Sequence, residues 1–376
     1  MVFDDFIPKV KYDFDDILIE PQVTTKINSR YKDITLPEMF PLFTAPMDTV
    51  VDLSNAHIFN DNKINVCLPR TIKHDDLSGL NKLPLYDLQD DPNANVNYVG
   101  FDNVFFSFGL NELIEMLDKN RYGFWFFPNI LIDVANGHME KIIEVCKEIK
   151  VVNPGKVIMI GNIANPETYR WYWEQGWVDY IRIGIGNGGG CLTTKQSGVG
   201  YPMASLIRET YLVKEEIISE TSDDLIRKRL PKIVADGGMK DYADVVKALA
   251  LGADYVMLGS IFNKALESCA PNYYNGKQID GKKAEKLFLK GEKVEKYFRG
   301  MSTKGAQKAM GKSLIKTSEG VERMRPVEYT LAKWVENFEH YLRNAMSYSN
   351  ANTLDEFIGK VPICQITTRA YDRFNK

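Results

Sequence analysis

Short apolar runs rich in Val, Ile and Phe recur along the chain, each closed by Gly, Pro, Asn or Asp, and most are followed by a stretch with helical spacing. Eight runs stand out, at 42–45, 64–68, 104–108, 130–133, 157–160, 180–183, 233–235 and 255–258. Between them the spacing predicts helices over 111–119, 139–150, 166–175, 204–218 and 241–251. The third of these has a clear entry signal, Asn165 as N-cap followed by Pro166 at the first helical position. Strands apolar on both faces and alternating with helices predict a parallel sheet covered on both sides. Eight of them fit an α/β fold of the (β/α)₈ TIM-barrel type, with an open doubly wound sheet as the alternative.

Past residue 262 the alternation stops. The segment 275–320 is rich in Lys and Gly with weak periodicity, and reads as a long mobile excursion from the barrel rather than a second core. One further amphipathic helix is expected over 328–346. The whole chain is thus expected to be a single unit, with a barrel over about 12–265, a flap over about 270–325 and a helical tail over 326–376.

Composition narrows the class of function. The 376 residues are 44% hydrophobic and 26% charged, which excludes disorder and collagen-like repeats. With 47 Lys plus Arg against 50 Asp plus Glu the formal net charge is −3, so no bulk field draws the chain to nucleic acid or to an anionic membrane. The acidic start lacks the apolar region of an export signal, and nowhere do enough apolar residues run together to span a bilayer. The five cysteines, at 67, 146, 191, 269 and 364, are widely spaced without a C-x-x-C pair, and read as reduced thiols in a cytoplasmic setting. An intracellular enzyme is the expectation.

The candidate chemistry centres on the segment after the sixth run. Glycine crowds the loop from Gly184 to Gly200, so its backbone can approach a ligand closely. The loop formally contains G-x-G-x-x-G, but a dinucleotide fingerprint needs a helix to start inside it, and none is expected before about residue 202. The better reading is a loop that carries Cys191 as nucleophile at the C-terminal mouth of the barrel. Cys67, Cys146, Cys269 and Cys364 read as buried packing residues. Asp236-Gly237-Gly238 closes the seventh strand and Gly259-Ser260 the eighth, where barrels often bind phosphate through backbone amides. Asp236 suits a ribose hydroxyl. The order predicts a nucleotide with its phosphate over strands seven and eight and its base near Cys191.

These residues, together with 12–21 (YDFDDILIEP), 45–49 (APMDT), 252–260 (GADYVMLGS) and 298–302 (FRGMS), resemble the IMP dehydrogenase and GMP reductase family. Within it, 133–137 (DVANG) and 193–202 (TTKQSGVGYP) resemble the reductase branch. The flap lacks the Arg-Tyr pair with which dehydrogenases activate water, and no insertion is large enough for paired regulatory (CBS) domains.

The resemblance implies an NADPH-dependent reductive deamination of GMP to IMP and ammonia through a covalent Cys191 adduct. Conversion of IMP to XMP with NAD is the alternative, as is a divergent purine-nucleotide-binding member with altered substrate or lost activity. Thr193 and Glu319 would relay a proton to the departing amine. Arg70 stands where the reductases place a catalytic lysine. Asp133, Asn136 and Ser107 would face the cofactor. Besides Asp236, Gly237, Gly238, Gly259 and Ser260, the substrate would meet Gly188, Gly190, Arg299, Gly300 and Met301. A potassium ion would sit on the carbonyls of Gly186, Gly188 and Cys191. The usual serine before the cysteine is absent, since Gly189 and Gly190 stand there. The resemblance also implies a homotetramer, with the aromatic clusters at 122–127 and 171–173 as packing or subunit-contact surface.

Overall fold

The computed structural model describes residues 10–72, 103–118, 127, 129–221, 229–311, 317, 318 and 320–374. All eight expected strands are present: β1 (Leu42–Thr44), β2 (Val66–Leu68), β3 (Val104–Phe108), β4 (Asn129–Asp133), β5 (Val157–Ile163), β6 (Tyr180–Ile183), β7 (Lys232–Asp236) and β8 (Tyr255–Leu258). They form one parallel sheet in the order β1-β8-β7-β6-β5-β4-β3-β2. The remaining seam, between β1 and β2, is closed at Asn65. The Thr44 amide donates to the Asn65 carbonyl at 2.9 Å, and the Asn65 amide donates to the Leu42 carbonyl at 3.0 Å. The Asn65 side chain adds a bond to the Leu42 carbonyl at 2.9 Å. The sheet is therefore a closed barrel, and the open-sheet alternative falls.

Alternate residues of the strands face two cores. Phe43, Cys67, Phe105, Leu131, Met159, Val234 and Met257 fill the barrel interior. Tyr180 and Tyr255, at the first positions of their strands, join Phe43 and Phe105 in edge-on and tilted ring contacts that plug the N-terminal end. The intervening residues, such as Ile130, Ile158, Ile181 and Ile233, pack outward against the helices. Each such side chain contributes about 1.5–3 kcal/mol on burial, which is why both faces of the strands are mostly apolar.

The covering helices are Leu110–Asp118, Lys141–Val152, Pro166–Gln175, Met203–Glu220 and Tyr242–Leu251. The Asn165 side chain accepts from the Glu167 amide at 3.0 Å, so the entry signal works as read. In the aromatic cluster of that helix, Tyr172 is buried with its hydroxyl on the Gly137 carbonyl, and Trp171 and Trp173 lean half-buried on the core. Of the cluster at 122–127 only Phe127 is among the described residues, packed on Phe106 and Phe108. The C-terminal helix runs over Leu331–Tyr348, three residues later than expected, because Thr330 caps it and Tyr329 is already paired with Ala265 and Leu266.

The excursion departs from expectation. It holds a four-stranded antiparallel sheet of β9 (Asn272–Tyr274), β10 (Lys277–Ile279), β11 (Glu295–Arg299) and β12 (Glu322–Pro326), in the order β10-β9-β11-β12. A helix, Gly281–Phe288, and a small cluster of Ala284, Val294 and Val327 complete it. Lys296 points inward with no exposed surface, donating to the carbonyls of Ser268 at 2.5 Å and Ala270 at 3.4 Å. Burial pushes its ammonium down to about 8. A lysine at a core position hides the alternation of the strand. Among the described residues no helix is long and apolar enough to cross a membrane.

Candidate active site

A cavity of about 800 Å³ opens over the C-terminal ends of the strands. That is the end at which barrel enzymes gather their chemistry. Its floor is an ionic cluster inside the barrel. Arg182, third residue of β6, is 4% exposed and is paired with the Asp133 carboxylate at the end of β4. Its Nε lies 3.6 Å from Asp236 Oδ2 at the end of β7. Asn162 donates to the same Asp236 oxygen at 2.9 Å and to the Gly184 carbonyl at 2.7 Å. Burial works against the charge of Arg182, but the two carboxylates outweigh it and hold the guanidinium above its ordinary value. Burial raises Asp236, opposed by Arg182 and Asn162.

The cysteine loop arches over this floor. The Cys191 amide donates to the Gly188 carbonyl at 2.9 Å, and its thiol lies 3.3 Å from Thr193 Oγ1, positioned to donate to it. The loop can lie this low because Gly237 carries no side chain. A Cβ there would fall 2.8 Å from the Gly188 nitrogen, and its φ of 91° is itself a glycine conformation. A short helix, Thr193–Ser197, starts inside the segment expected to be free of helix, closed by Gly198 in the left-handed region and by Ser197 Oγ on the Thr193 carbonyl. Cys191 is half-buried in the cavity wall. By contrast, burial pushes the thiols of Cys67, Cys146 and Cys269 up, which keeps them protonated and inert. Cys364, on the strand Ile363–Gln365, does not line the cavity and is half-buried rather than the buried packing residue expected.

The flap end covers the loop from above. The Val321 amide donates to the Gly190 carbonyl at 3.0 Å, and Gly320 bridges to Cys191. Glu319 lies outside the described residues. Arg70 reaches the cavity from beyond β2, with Nη1 donating to the Asp133 carbonyl at 3.3 Å. Its guanidinium rests where Gly109 has no side chain, since a Cβ there would fall 2.2 Å from Nη2.

The cavity thus brings together Cys191, Arg70, Asp133, Gly188, Gly190, Asp236, Gly237 and Gly238, and with them Gly259, Ser260, Gly300 and Met301. Other expected residues stand elsewhere. Arg299 does not line the cavity; its guanidinium is committed to Asp48, with Nε donating at 3.1 Å. Asn136 is exposed, and its side-chain oxygen accepts from the His138 amide. Ser107 is buried on β3, and among the described residues its hydroxyl has no hydrogen-bond partner. Gly186 and Thr193 lie behind the wall, although Thr193 touches the cysteine. Sequence reasoning missed Arg182, Asn162, Arg323 and Arg325, all of which line the cavity. A charged residue inside the apolar run 180–183 was the available signal for the first. Among the described residues no group of three or more His, Cys, Asp or Glu is arranged to hold a metal ion.

Residues 128–373 match the model of the IMP dehydrogenase / GMP reductase domain. The human protein named GMP reductase 2 is 27% identical, over 98% of this chain and 97% of its own length. A Caenorhabditis elegans GMP reductase is 26% identical, over 97% of this chain and 94% of its own length. The inosine-5'-monophosphate dehydrogenase of Aquifex aeolicus is 30% identical, over 64% of this chain and 45% of its own length. With its eight-stranded barrel and its glycine-rich cysteine loop, the chain belongs to the IMP dehydrogenase / GMP reductase family.

Proposed function

We propose that the chain is a purine nucleotide oxidoreductase that reductively deaminates GMP to IMP and ammonia with NADPH. The observation that carries this reading is the Cys191 thiol, set in the cavity wall against Thr193 and under the flap. The near end-to-end match to proteins named GMP reductase supports it. Cys191 would attack C2 of the guanine ring, forming a C–S bond. The C2–N bond then breaks, and the amine leaves as ammonia once it is protonated through Thr193 and Glu319. NADPH, when bound, supplies the hydride to C2, and the thiolate departs to leave IMP.

The chain's own residues suit this sequence of steps. Asp236 can accept a ribose hydroxyl while Arg182 and Asn162 hold its carboxylate in place. Arg70 supplies a fixed positive charge beside Asp133, where a lysine could also have exchanged a proton. For the cofactor, Arg70 Nε, in the cavity wall beside Asp133, is a buried polar atom without a partner among the described residues, and it fits a polar ring that seeks hydrogen bonds. A cavity of about 800 Å³ lies in the range that accepts organic ligands of this size. Potassium fits the loop less well. The Gly188 carbonyl already accepts the Cys191 amide, and the Arg323 guanidinium, 3.4 Å from the Gly189 carbonyl, already brings a positive charge there. A homotetramer in the cytoplasm completes the reading.

The test is NADPH oxidation and ammonia release with GMP, run beside NAD reduction with IMP. Loss of NADPH with stoichiometric ammonia is expected, and NADH formation from IMP would replace this reading with the dehydrogenase one. Cys191→Ala should abolish turnover while GMP binding stays within about tenfold. Turnover retained in that variant would remove the covalent step.

A further inference from the structure

We propose that Arg323 and Arg325, with Ser260 and the backbone amides of the cysteine loop, form a clamp for a phosphate monoester dianion beside Gly189. The inference rests on reading the cavity as a purine nucleotide site, and it names the side chains that take the charged end.

β12 reads Glu322-Arg-Met-Arg-Pro326, so the two arginines, two residues apart, share one face of the strand. That face looks into the cavity. Both guanidiniums rest on the ring of Phe298, with Cζ 5.5 Å and 5.2 Å from its centroid. Phe298 is 1% exposed and paired across the sheet with Arg323, so the platform is rigid. Each guanidinium spends one donor on a carbonyl, Arg323 on Gly189 at 3.4 Å and Arg325 on Ser260 at 3.1 Å. Among the described residues neither forms an ion pair. Glu328, the carboxylate that acts on Arg325 through space, is bonded to Lys264. Burial, and then the charge of Arg323, hold Arg325 below the ordinary guanidinium range. Two like charges on one ring are a strain that an anion relieves.

The geometry of Gly189 sharpens the point. A Cβ built there would stand 3.8 Å from Arg323 Nη2 and 3.8 Å from Ser260 Oγ, in ordinary contact with both. A serine would fit, yet the chain brings a guanidinium to the same spot from across the cavity. Two planar forks carrying two positive charges match a phosphate monoester, which is mostly dianionic at neutral pH and accepts bidentate bonds. A carboxylate would satisfy only one of them. The clamp also sits on the strand whose lead-in holds Gly320 against Cys191, so an anion drawn to the arginines presses the flap end onto the nucleophile.

Calorimetric titration of the full-length protein with GMP, guanosine and ribose 5-phosphate tests the clamp, comparing wild type with Arg323→Gln/Arg325→Gln and with that pair plus Gly189→Ser. The wild type should prefer GMP over guanosine by at least about 100-fold. The double variant should lose about 30-fold or more for GMP and for ribose 5-phosphate, at one to two orders of magnitude per charged hydrogen bond. Its guanosine affinity should stay within about twofold, which also reports that it is folded, and Gly189→Ser should restore part of the loss. Equal losses for GMP and guanosine, or ribose 5-phosphate binding that ignores the arginines, would overturn the clamp. Arginine-dependent binding of ribose 5-phosphate with no added affinity from guanine would uphold the clamp and refute the purine reading instead.

Discussion

Arg182 shows how much of this site hangs on one buried side chain. It lies between two carboxylates that start from different strands, and both depend on it for charge balance. Arg182→Met would leave Asp133 and Asp236 without the guanidinium that sits between them, at a cost of about 3–5 kcal/mol in stability. The pH dependence of that cost has a definite sign. Burial already raises Asp236 above the usual carboxylate range, and Arg182 is the main force opposing the rise. A carboxyl raised in the folded state favours folding most at low pH, and that contribution is lost as pH rises through the folded value. Urea unfolding of the variant should therefore show a smaller deficit at pH 5 than at pH 8, and a deficit independent of pH would show that the cluster acts through packing alone. Cys191 was legible from sequence because a thiol in a run of glycines and threonines makes a poor core filler. Arg182 was not, because its meaning lies in partners about 50 residues away on either side, and composition within one strand cannot supply them.

At the level of elements, the eight barrel strands were readable because burial on both faces demands an unbroken apolar run, which few other structures need. The outer sheet escaped because its strands bury little, and the positions that do turn inward hold residues that usually signal surface. In β11 the inward positions are Lys296 and Phe298. In β12 the cavity-facing positions are two arginines, exposed at 323 and half-buried at 325, laid on an aromatic ring. The C-terminal helix Leu331–Tyr348 is the opposite case, an amphipathic pattern that announces its buried face. Trp334 on that face stacks on Phe338 with ring centroids 5.5 Å apart and on Tyr242 at 5.2 Å, and meets Phe262 edge-on. Since Tyr242 opens the helix before β8 and Phe262 follows that strand, one side chain ties the tail to the last βα unit. Trp334→Ala should cost about 3–5 kcal/mol in thermal or chemical unfolding. A loss below about 1 kcal/mol would mean that the tail adds little to the barrel.

For the molecule as a whole, strand count alone could not separate a closed barrel from an open sheet, because the deciding bonds are the few at Asn65. Nor could it show that the two ends of the chain meet. The strand Ile17–Ile19 pairs antiparallel with Ile363–Gln365, the Glu20 amide donates to the Pro362 carbonyl at 2.9 Å, and the Ile366 amide donates to the Asp16 carbonyl at 2.8 Å. Just before this strand, Phe14 packs beside Gly238 in the cavity wall, and its carbonyl takes the buried Lys247 ammonium at 2.9 Å. Removing residues 361–376 should therefore lower the melting temperature and weaken ribose 5-phosphate binding together. Intact binding in the truncated chain would separate the latch from the site. The same latch bears on how the protein is made. The segment that holds one edge of the cavity wall is synthesised long before its strand partner at Ile363–Gln365. A nascent chain must keep that edge unpaired until the later strand emerges, so a product that stops short of it would carry a barrel without a finished active site.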